Sequence, residues 1–260
     1  MTRLLPFRDT ASRLGVVACL CLVTAPALAQ GAAEAAAAAT VSVQAVEPTG
    51  DGRAKVADCS GALIGPDLVL TSGHCLDGAA GPTRVAVFAY RGGRPVPQPL
   101  AVAAIARHPA HVIGWREKAG DPETRQREIA ADLALLRLAA PVDGARPLPL
   151  GAGEGGAIAG TGAVSPGGRS GVMKRAALSA VRASTGAGAR VVFATAAVTM
   201  CGGDSGGPAV GTGTGGEPVL WGVTAAVLKP KGGCGARIAV TPVDPASDGF
   251  RAMRAAVGRP

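Results

Sequence analysis

Residues 201–210, CGGDSGGPAV, set one aspartate and one serine among four glycines, behind a cysteine and ahead of an apolar run. A serine hydroxyl becomes a useful nucleophile only when a neighbouring base takes its proton, a task for which histidine is suited near neutrality. The chain holds three histidines, His74, His108 and His111, all ahead of Ser205. His74 sits in TSGHC, straight after the run LVLT and beside Cys75. A disulfide at Cys75 would pin its backbone, and a base needs that restraint because a misplacement of about 1 Å can cost roughly 100-fold in rate. His108 and His111 occupy RHPAH, a proline-containing connection with no such anchor, and read as surface-loop histidines. As an i, i+3 pair without a nearby cysteine or carboxylate cluster they also make a poor metal site.

Asp132 opens DLALLRL, where nearly every other position is apolar. Burying a lone carboxylate costs on the order of several kcal/mol unless it is hydrogen-bonded and paired, and an imidazole N–H is a natural partner. Asp51, Asp58, Asp67, Asp77, Asp121 and Asp143 lie in turn-like or polar surroundings and read as solvated. Residues 203–207, GDSGG, also satisfy G-x-S-x-G, the nucleophile turn of α/β-hydrolases. That fold needs a histidine after its serine, so chain order excludes it. A subtilisin-like arrangement, with aspartate ahead of histidine, fits the order but neither the local motifs nor the strand-rich pattern described next.

These side chains must be held by a scaffold, and composition bounds what it is. The 260 residues are 48% apolar, enough for a core, but only 3% aromatic, so the core is built from Val, Leu, Ile and Ala. VSVQAV (41–46) alternates as a half-buried strand does; SGALI and LVLT flank the turn Gly65-Pro66-Asp67 and read as a hairpin. TRVAVFAY (83–90), LAVAAIARH (100–108) and LALLRL (133–138) continue the series, and PVDGARPLPLG (141–151) reads as a connector. GAIAGTGAV, KRAALSAVRA, ARVVFATAAV, PAV, PVLWGVTAAVL and ARIAVTPV repeat the style. The pattern predicts no long helix until the end, where Ser247 caps a helix with Phe250, Met253 and Val257 on one face and Gly258 after it. Two halves of about six strands point to two β-barrels, whose closure removes exposed edges.

The N-terminus carries Arg3, Arg8 and Arg13, the apolar stretch Leu14–Val23 and the small-x-small signal Ala27-Leu28-Ala29. Residues 1–29 therefore read as a signal peptide cut after Ala29, and 30–40, QGAAEAAAAAT, as a low-complexity leader forming a mobile tail. No later segment has 18 apolar residues in a row, so the sequence predicts no membrane-spanning helix. Cleavage removes Cys19 and Cys21 and leaves Cys59, Cys75, Cys201 and Cys234. An even count in an exported chain points to two disulfides; three pairings are open, of which 59–75 and 201–234 are the simplest. The net charge of +8 is spread without an aromatic-interleaved basic stripe, so nucleic-acid binding is not expected.

CSGALIGPDLVLTSGHC, DLALLRL and CGGDSGGP resemble, in the right order, the three signature blocks of the chymotrypsin-like serine endopeptidases. The resemblance runs from about Val41 to the C-terminal helix. It implies an all-β fold of two six-stranded antiparallel barrels with a short C-terminal helix, the site lying in the cleft between them. The barrel over 41–145 would carry His74 and Asp132, and the barrel over 146–260 would carry Ser205. The implied roles are Ser205 as nucleophile, His74 as base and Asp132 as its orienting partner, with the N–H groups of Gly203 and Ser205 forming an oxyanion hole. In zymogen-derived members the aspartate matching Asp204 is held by a newly released N-terminal amine. This chain has no IVGG-like start between Ala29 and Cys59, so Asp204 pairs either with a processed N-terminus or with an internal Lys or Arg.

By the same resemblance Thr199 lies at the base of the primary pocket and TAAV (224–227), including Ala225 and Ala226, forms its wall. No carboxylate stands at 199 to receive Lys or Arg, and Ala226 and Ile238 would narrow the pocket toward small or medium uncharged side chains. The expected function is a secreted or periplasmic serine endopeptidase acting on protein or peptide substrates, with an inhibitor protein as a further partner. No metal or organic cofactor is implied. The rival reading is a catalytically silent, protease-like binding module.

Overall fold

Short runs of Val, Leu, Ile and Ala broken by Gly and Pro are too brief for helices, yet each can bury one face or both by pairing into a closed sheet. A computed structural model describes residues 25–114, 121–228 and 232–258. The elements run α1 (Ala25–Ala39), β1 (Thr40–Pro48), β2 (Ala54–Gly65), β3 (Leu68–Thr71), β4 (Val85–Phe88), β5 (Tyr90–Arg91), β6 (Arg94–Pro95) and β7 (Leu100–Arg107). They continue as α2 (Pro122–Ala130), β8 (Ala134–Leu138), β9 (Ala157–Gly160), β10 (Lys174–Gly186), β11 (Ala189–Met200), β12 (Pro208–Thr212), β13 (Pro218–Val227), β14 (Gly235–Pro242) and α3 (Asp248–Val257).

The strands close into two six-stranded antiparallel barrels, ordered β1-β2-β3-β8-β7-β4 and β10-β11-β14-β13-β12-β9. The hairpin expected around Gly65-Pro66-Asp67 forms, with Ala62 opposite Leu70 and Leu63 opposite Val69. Val41, Val43, Val87, Leu70, Leu135 and Leu136 fill the first barrel, and Ile158, Val192, Met200, Trp221, Ile238 and Val240 fill the second. Each fully buried aliphatic side chain of this kind contributes about 1.5–3 kcal/mol relative to exposure. The run 83–90 is less regular than expected. Pro82–Arg84 forms one 3₁₀ turn, β4 stops at Phe88, and Tyr90–Arg91 pairs with Arg94–Pro95 in a separate small hairpin.

Among the described residues, three α-helices pack against the barrels. In α3, Ser247 Oγ accepts the Phe250 N–H at 3.2 Å, and Phe250, Met253 and Val257 are buried as their spacing predicts. Arg137 Nε of β8 donates to the Val257 carbonyl at 2.6 Å, tying the helix end to the first barrel. The sequence pattern predicts no long helix among the strands, and α2, with nine residues, is a short helix that the pattern did not show. Asp121 caps α2 by accepting from the Glu123 and Thr124 amides, and Pro122 stands in its first turn. Both are helix-start signals. The helix packs on β11 and β14 of the second barrel, Thr241 Oγ1 donating to the Ile129 carbonyl at 2.6 Å, and its chain then feeds β8 of the first.

The leader over 30–40 is also corrected: it is not a tail but the body of α1. Alanine is the best helix former, so an alanine tract has a strong reason to coil once a surface covers one face. Ala32, Ala36 and Ala39 are buried and join the first-barrel core to Ala157, Val210 and Leu220 of the second barrel. Of the segment expected as a signal peptide, residues 1–24 lie outside the described residues, and Ala25–Ala29 open α1.

Candidate active site

β3 ends at Thr71, and the chain turns at once through one 3₁₀ turn, Gly73–Leu76, that carries His74. Cys75 in this turn is joined to Cys59 of β2, so the turn is fastened covalently to the neighbouring strand. Asp132 arrives from the end of α2, its N–H donating to the Ile129 carbonyl at 3.2 Å, and its side chain is 1% exposed. Its Oδ1 accepts the His74 backbone N–H at 2.8 Å and its Oδ2 lies 2.7 Å from His74 Nδ1. A carboxylate offers only acceptors, so Nδ1 carries the proton and Nε2 keeps a lone pair. Burial works to lower the proton affinity of His74, but the hydrogen bond and charge of Asp132, helped by Asp77, outweigh it. The imidazole is therefore held above its ordinary value, as suits a base that must become charged during its task.

Ser205 lies in the loop between β11 and β12 and is partly exposed. That loop is stitched to both barrels: the Ser60 N–H donates to the Ser205 carbonyl at 2.8 Å, and the Gly206 N–H donates to the Thr224 carbonyl at 2.7 Å. Gly206 has φ +83°, and a Cβ there would come within 2.2 Å of both the Ser60 carbonyl and Thr71 Oγ1. Glycine is what allows the serine loop to press this closely on the end of β3, where the His74 turn begins. The Cys75 sulfur lies 3.9 Å from His74 Nε2 and 3.8 Å from the Ser205 carbonyl oxygen, so the imidazole and the serine share one disulfide edge. Cys59, His74 and Cys75 cluster closely enough for a metal by distance alone, but the two sulfurs are bonded to each other and supply no thiolate.

Asp204 is fully buried and its partner is internal. Oδ1 accepts the Gly162 N–H at 2.9 Å; Oδ2 accepts the Cys201 N–H at 2.7 Å and Lys174 Nζ at 2.5 Å. Burial pushes the Asp204 carboxyl up from its ordinary value, against the pull of Lys174 and the two amides. The Cys201–Cys234 disulfide fastens the start of the same loop to the residue ahead of β14. The Gly202 carbonyl accepts the Ala163 N–H at 3.0 Å, and Gly203, at φ +95°, gives its own carbonyl to Ser60 Oγ at 2.8 Å. Across a trans peptide the N–H points opposite to the C=O, so the Gly203 N–H is turned away from Ala163.

Among the residues expected to form the pocket, Thr199 is exposed and its carbonyl faces Lys174 Nζ at 3.4 Å. Ala226 is partly buried and pairs with Ala239 across the β13–β14 ladder, where the register shifts. The Ala225 methyl is buried with Ile129, Val191 and Ala239, so only its backbone is left to line a groove. Ile238 is fully buried in the second-barrel core.

Two sequence expectations fail nearby. His111 is not a surface histidine: its side chain is 4% exposed and Nε2 lies 2.8 Å from Asp77 Oδ1. Asp77 is accordingly not merely solvated, and it also accepts the Gly114 N–H at 2.9 Å. The spacing from His108 to His111 gave no sign of this, because the partner comes from a turn 34 residues away. His108 is partly buried, its N–H donating to the Leu133 carbonyl at 2.8 Å. A concavity of about 1390 Å³ between α2, residues 151–154, residues 187–190 and residues 242–247 contains none of His74, Asp132 and Ser205.

The fold is shared with solved structures. Two solved structures similar to the chain are the active form of the Rv3671c protease from M. tuberculosis and the HL collagenase. The first has 20% identity and a TM-score of 0.53, over 100% of this chain and 96% of that one. The second has 16% identity and a TM-score of 0.57, over 85% of this chain and 94% of that one. A comparison with curated protein sequences returned no match. The Trypsin family model matches residues 31–248, most of the sequence, and this chain belongs to the trypsin family of serine proteases.

Proposed function

We propose that the protein is an exported serine endopeptidase that cleaves peptide bonds through an acyl-enzyme intermediate. The observation that carries this reading is the 2.7 Å approach of His74 Nδ1 to a buried Asp132, on a turn that shares a disulfide edge with Ser205. Ser205 Oγ attacks the carbonyl carbon of the scissile bond while its proton passes to His74 Nε2. The resulting oxyanion is received by the N–H groups of Gly203 and Ser205. The C–N bond then breaks as His74 returns the proton to the leaving amine, and water, activated by the same imidazole, hydrolyses the ester on Ser205. Asp132 stabilises the imidazolium throughout.

The Lys174–Asp204 pair supports an oxyanion loop formed without a released N-terminal amine. Lys174 supplies the cation that such an amine would otherwise bring to Asp204. Activity is therefore expected with the N-terminus acetylated.

The primary pocket uses Thr199 at its base and the backbone of Ala225 and Ala226 as its wall. Without a carboxylate at 199, it favours small or medium uncharged side chains. Two disulfides support an oxidising destination, secreted or periplasmic. Digestion of a peptide library by the folded protein tests the reading: cleavage after uncharged residues supports it, whereas rapid selective cleavage after Arg contradicts the pocket. A folded protein that cleaves nothing is a silent binding module.

A further inference from the structure

The proposed mechanism leaves one buried imidazole unused. His111 stands between two carboxylates, with Nε2 2.8 Å from Asp77 Oδ1 and Nδ1 3.7 Å from Asp132 Oδ1. Since Asp77 can only accept, Nε2 carries the proton, and Nδ1 is a buried nitrogen with no hydrogen-bond partner, aimed at Asp132. The ring lies against Gly73, where a Cβ would come 2.6 Å from Nδ1. Only the absence of a side chain at 73 lets an imidazole lie beside the backbone that carries His74. Asp77 is itself fixed, its N–H donating to the His74 carbonyl at 3.2 Å and its Oδ2 accepting the Gly114 N–H.

The result is a row of alternating acids and imidazoles, Asp77, His111, Asp132 and His74, in which Asp132 Oδ1 faces both the His74 backbone N–H and His111 Nδ1. A neutral His111 turns a lone pair toward Asp132, which keeps the contact longer than a hydrogen bond. A protonated His111 turns an N–H toward it and adds a second cation beside the carboxylate. Two imidazoles that share one carboxylate oppose each other's protonation.

We propose that His111, held by Asp77, is a positioning residue for the reaction described above: it stands against the far oxygen of Asp132 and, through that carboxylate, tunes the proton affinity of His74. The proposal rests on the protease reading. Among the described residues, charged groups that bear on this row include His108 on the segment of His111, Arg107 of β7, which binds the Leu76 and Ala79 carbonyls on either side of Asp77, and Arg125 of α2, whose charge opposes protonation of His74. His108 is lowered first by burial and then by the charge of His111.

The test is the pH dependence of kcat/KM for the wild type, His111→Phe and Asp77→Asn, together with NMR titration of ¹⁵N-histidine-labelled protein. His111→Phe keeps a ring but removes the opposing charge, so the acid limb moves to higher pH by at least about half a unit. KM is unchanged, and kcat on the alkaline plateau is retained within about tenfold. Asp77→Asn removes a carboxylate that favours the charged imidazole, and the limb moves the other way. In the NMR titration, the His74 signal follows a two-step curve in the wild type and a single step in His111→Phe. Acid limbs and His74 titrations that superimpose on the wild type in both variants overturn the proposal, as does a loss of kcat with no movement of the limb. If His111→Phe does not fold, His111→Gln takes its place. Protein that is inert in every form counts against the protease reading, and the NMR titration then decides the coupling without any need for turnover.

Discussion

Lys174 Nζ lies 2.5 Å from Asp204 Oδ2, with the two side chains 10% and 0% exposed. The lysine opens β10 and the aspartate immediately precedes Ser205, so this ion pair ties the serine loop to the body of the second barrel. Breaking a buried ion pair by removing the cation is far more costly than replacing the whole pair.

Lys174→Met is therefore expected to destabilise the fold by about 3–5 kcal/mol. Its stability should fall further as pH rises, because Asp204, already held above its ordinary value by burial, must then ionise without a partner. Lys174→Met/Asp204→Asn should recover much of the stability but not the activity, since the loop loses its tether. Denaturant unfolding of the three proteins at pH 5 and pH 8 checks this.

The second expectation concerns Asp132. With His74 held above its ordinary value, the neutral base exists only on the alkaline side of that raised value, so kcat/KM should fall as pH drops through it. Asp132→Asn removes the leading upward influence and leaves burial to push His74 down, moving the acid limb to lower pH. The tautomer is lost as well, and kcat should drop on the order of 10⁴-fold. Rate profiles from pH 5 to 9 on one peptide substrate measure both effects.

The Cys59–Cys75 bridge fastens the His74 turn to β2. Replacing both cysteines by Ala should cost about 2–4 kcal/mol of stability and, under conditions where the fold persists, reduce kcat more than it raises KM. Thermal unfolding and steady-state kinetics separate the two losses.

Ala36 of α1 is fully buried where the helix packs mainly on strands of the second barrel. Ala36→Asp places an unpaired carboxylate there and should destabilise by several kcal/mol, on the order of the penalty for a buried charge. Substitution of the exposed Glu34 by Gln should leave stability within about 0.5 kcal/mol, since its Arg175 partner is also half-exposed. Equal behaviour of the two variants in a melting experiment would show that α1 does not dock.

Much of this architecture was legible in the sequence because its cues are local. The short apolar runs, Gly65-Pro66-Asp67 between two of them, and Ser247 ahead of a spaced apolar face mark their elements locally, although the run 83–90 divides between a 3₁₀ turn, β4 and β5. His74, Asp132 and Ser205 could be singled out one at a time by an adjacent cysteine, an apolar run and a glycine-rich setting. What escaped depends on contacts distant in the chain. The alanine leader becomes α1 only because both barrels cover its face, and nothing in QGAAEAAAAAT announces that surface. α2 carried local signals in Asp121 and Pro122, but its polar composition hid them. Lys174 was one of many cations until the fold brought it to Asp204, and His111 read as a loop residue because Asp77 and Asp132 reach it from other turns.

The account's central claim is that Ser205 is an activated nucleophile. A fluorophosphonate probe, followed by mass spectrometry of the tryptic peptides, tests it most directly. The account predicts one stoichiometric adduct on Ser205 in the folded wild type and no detectable adduct in His74→Ala. Folded wild-type protein that stays unmodified, or an adduct on Ser205 that forms equally fast without the imidazole, would contradict it.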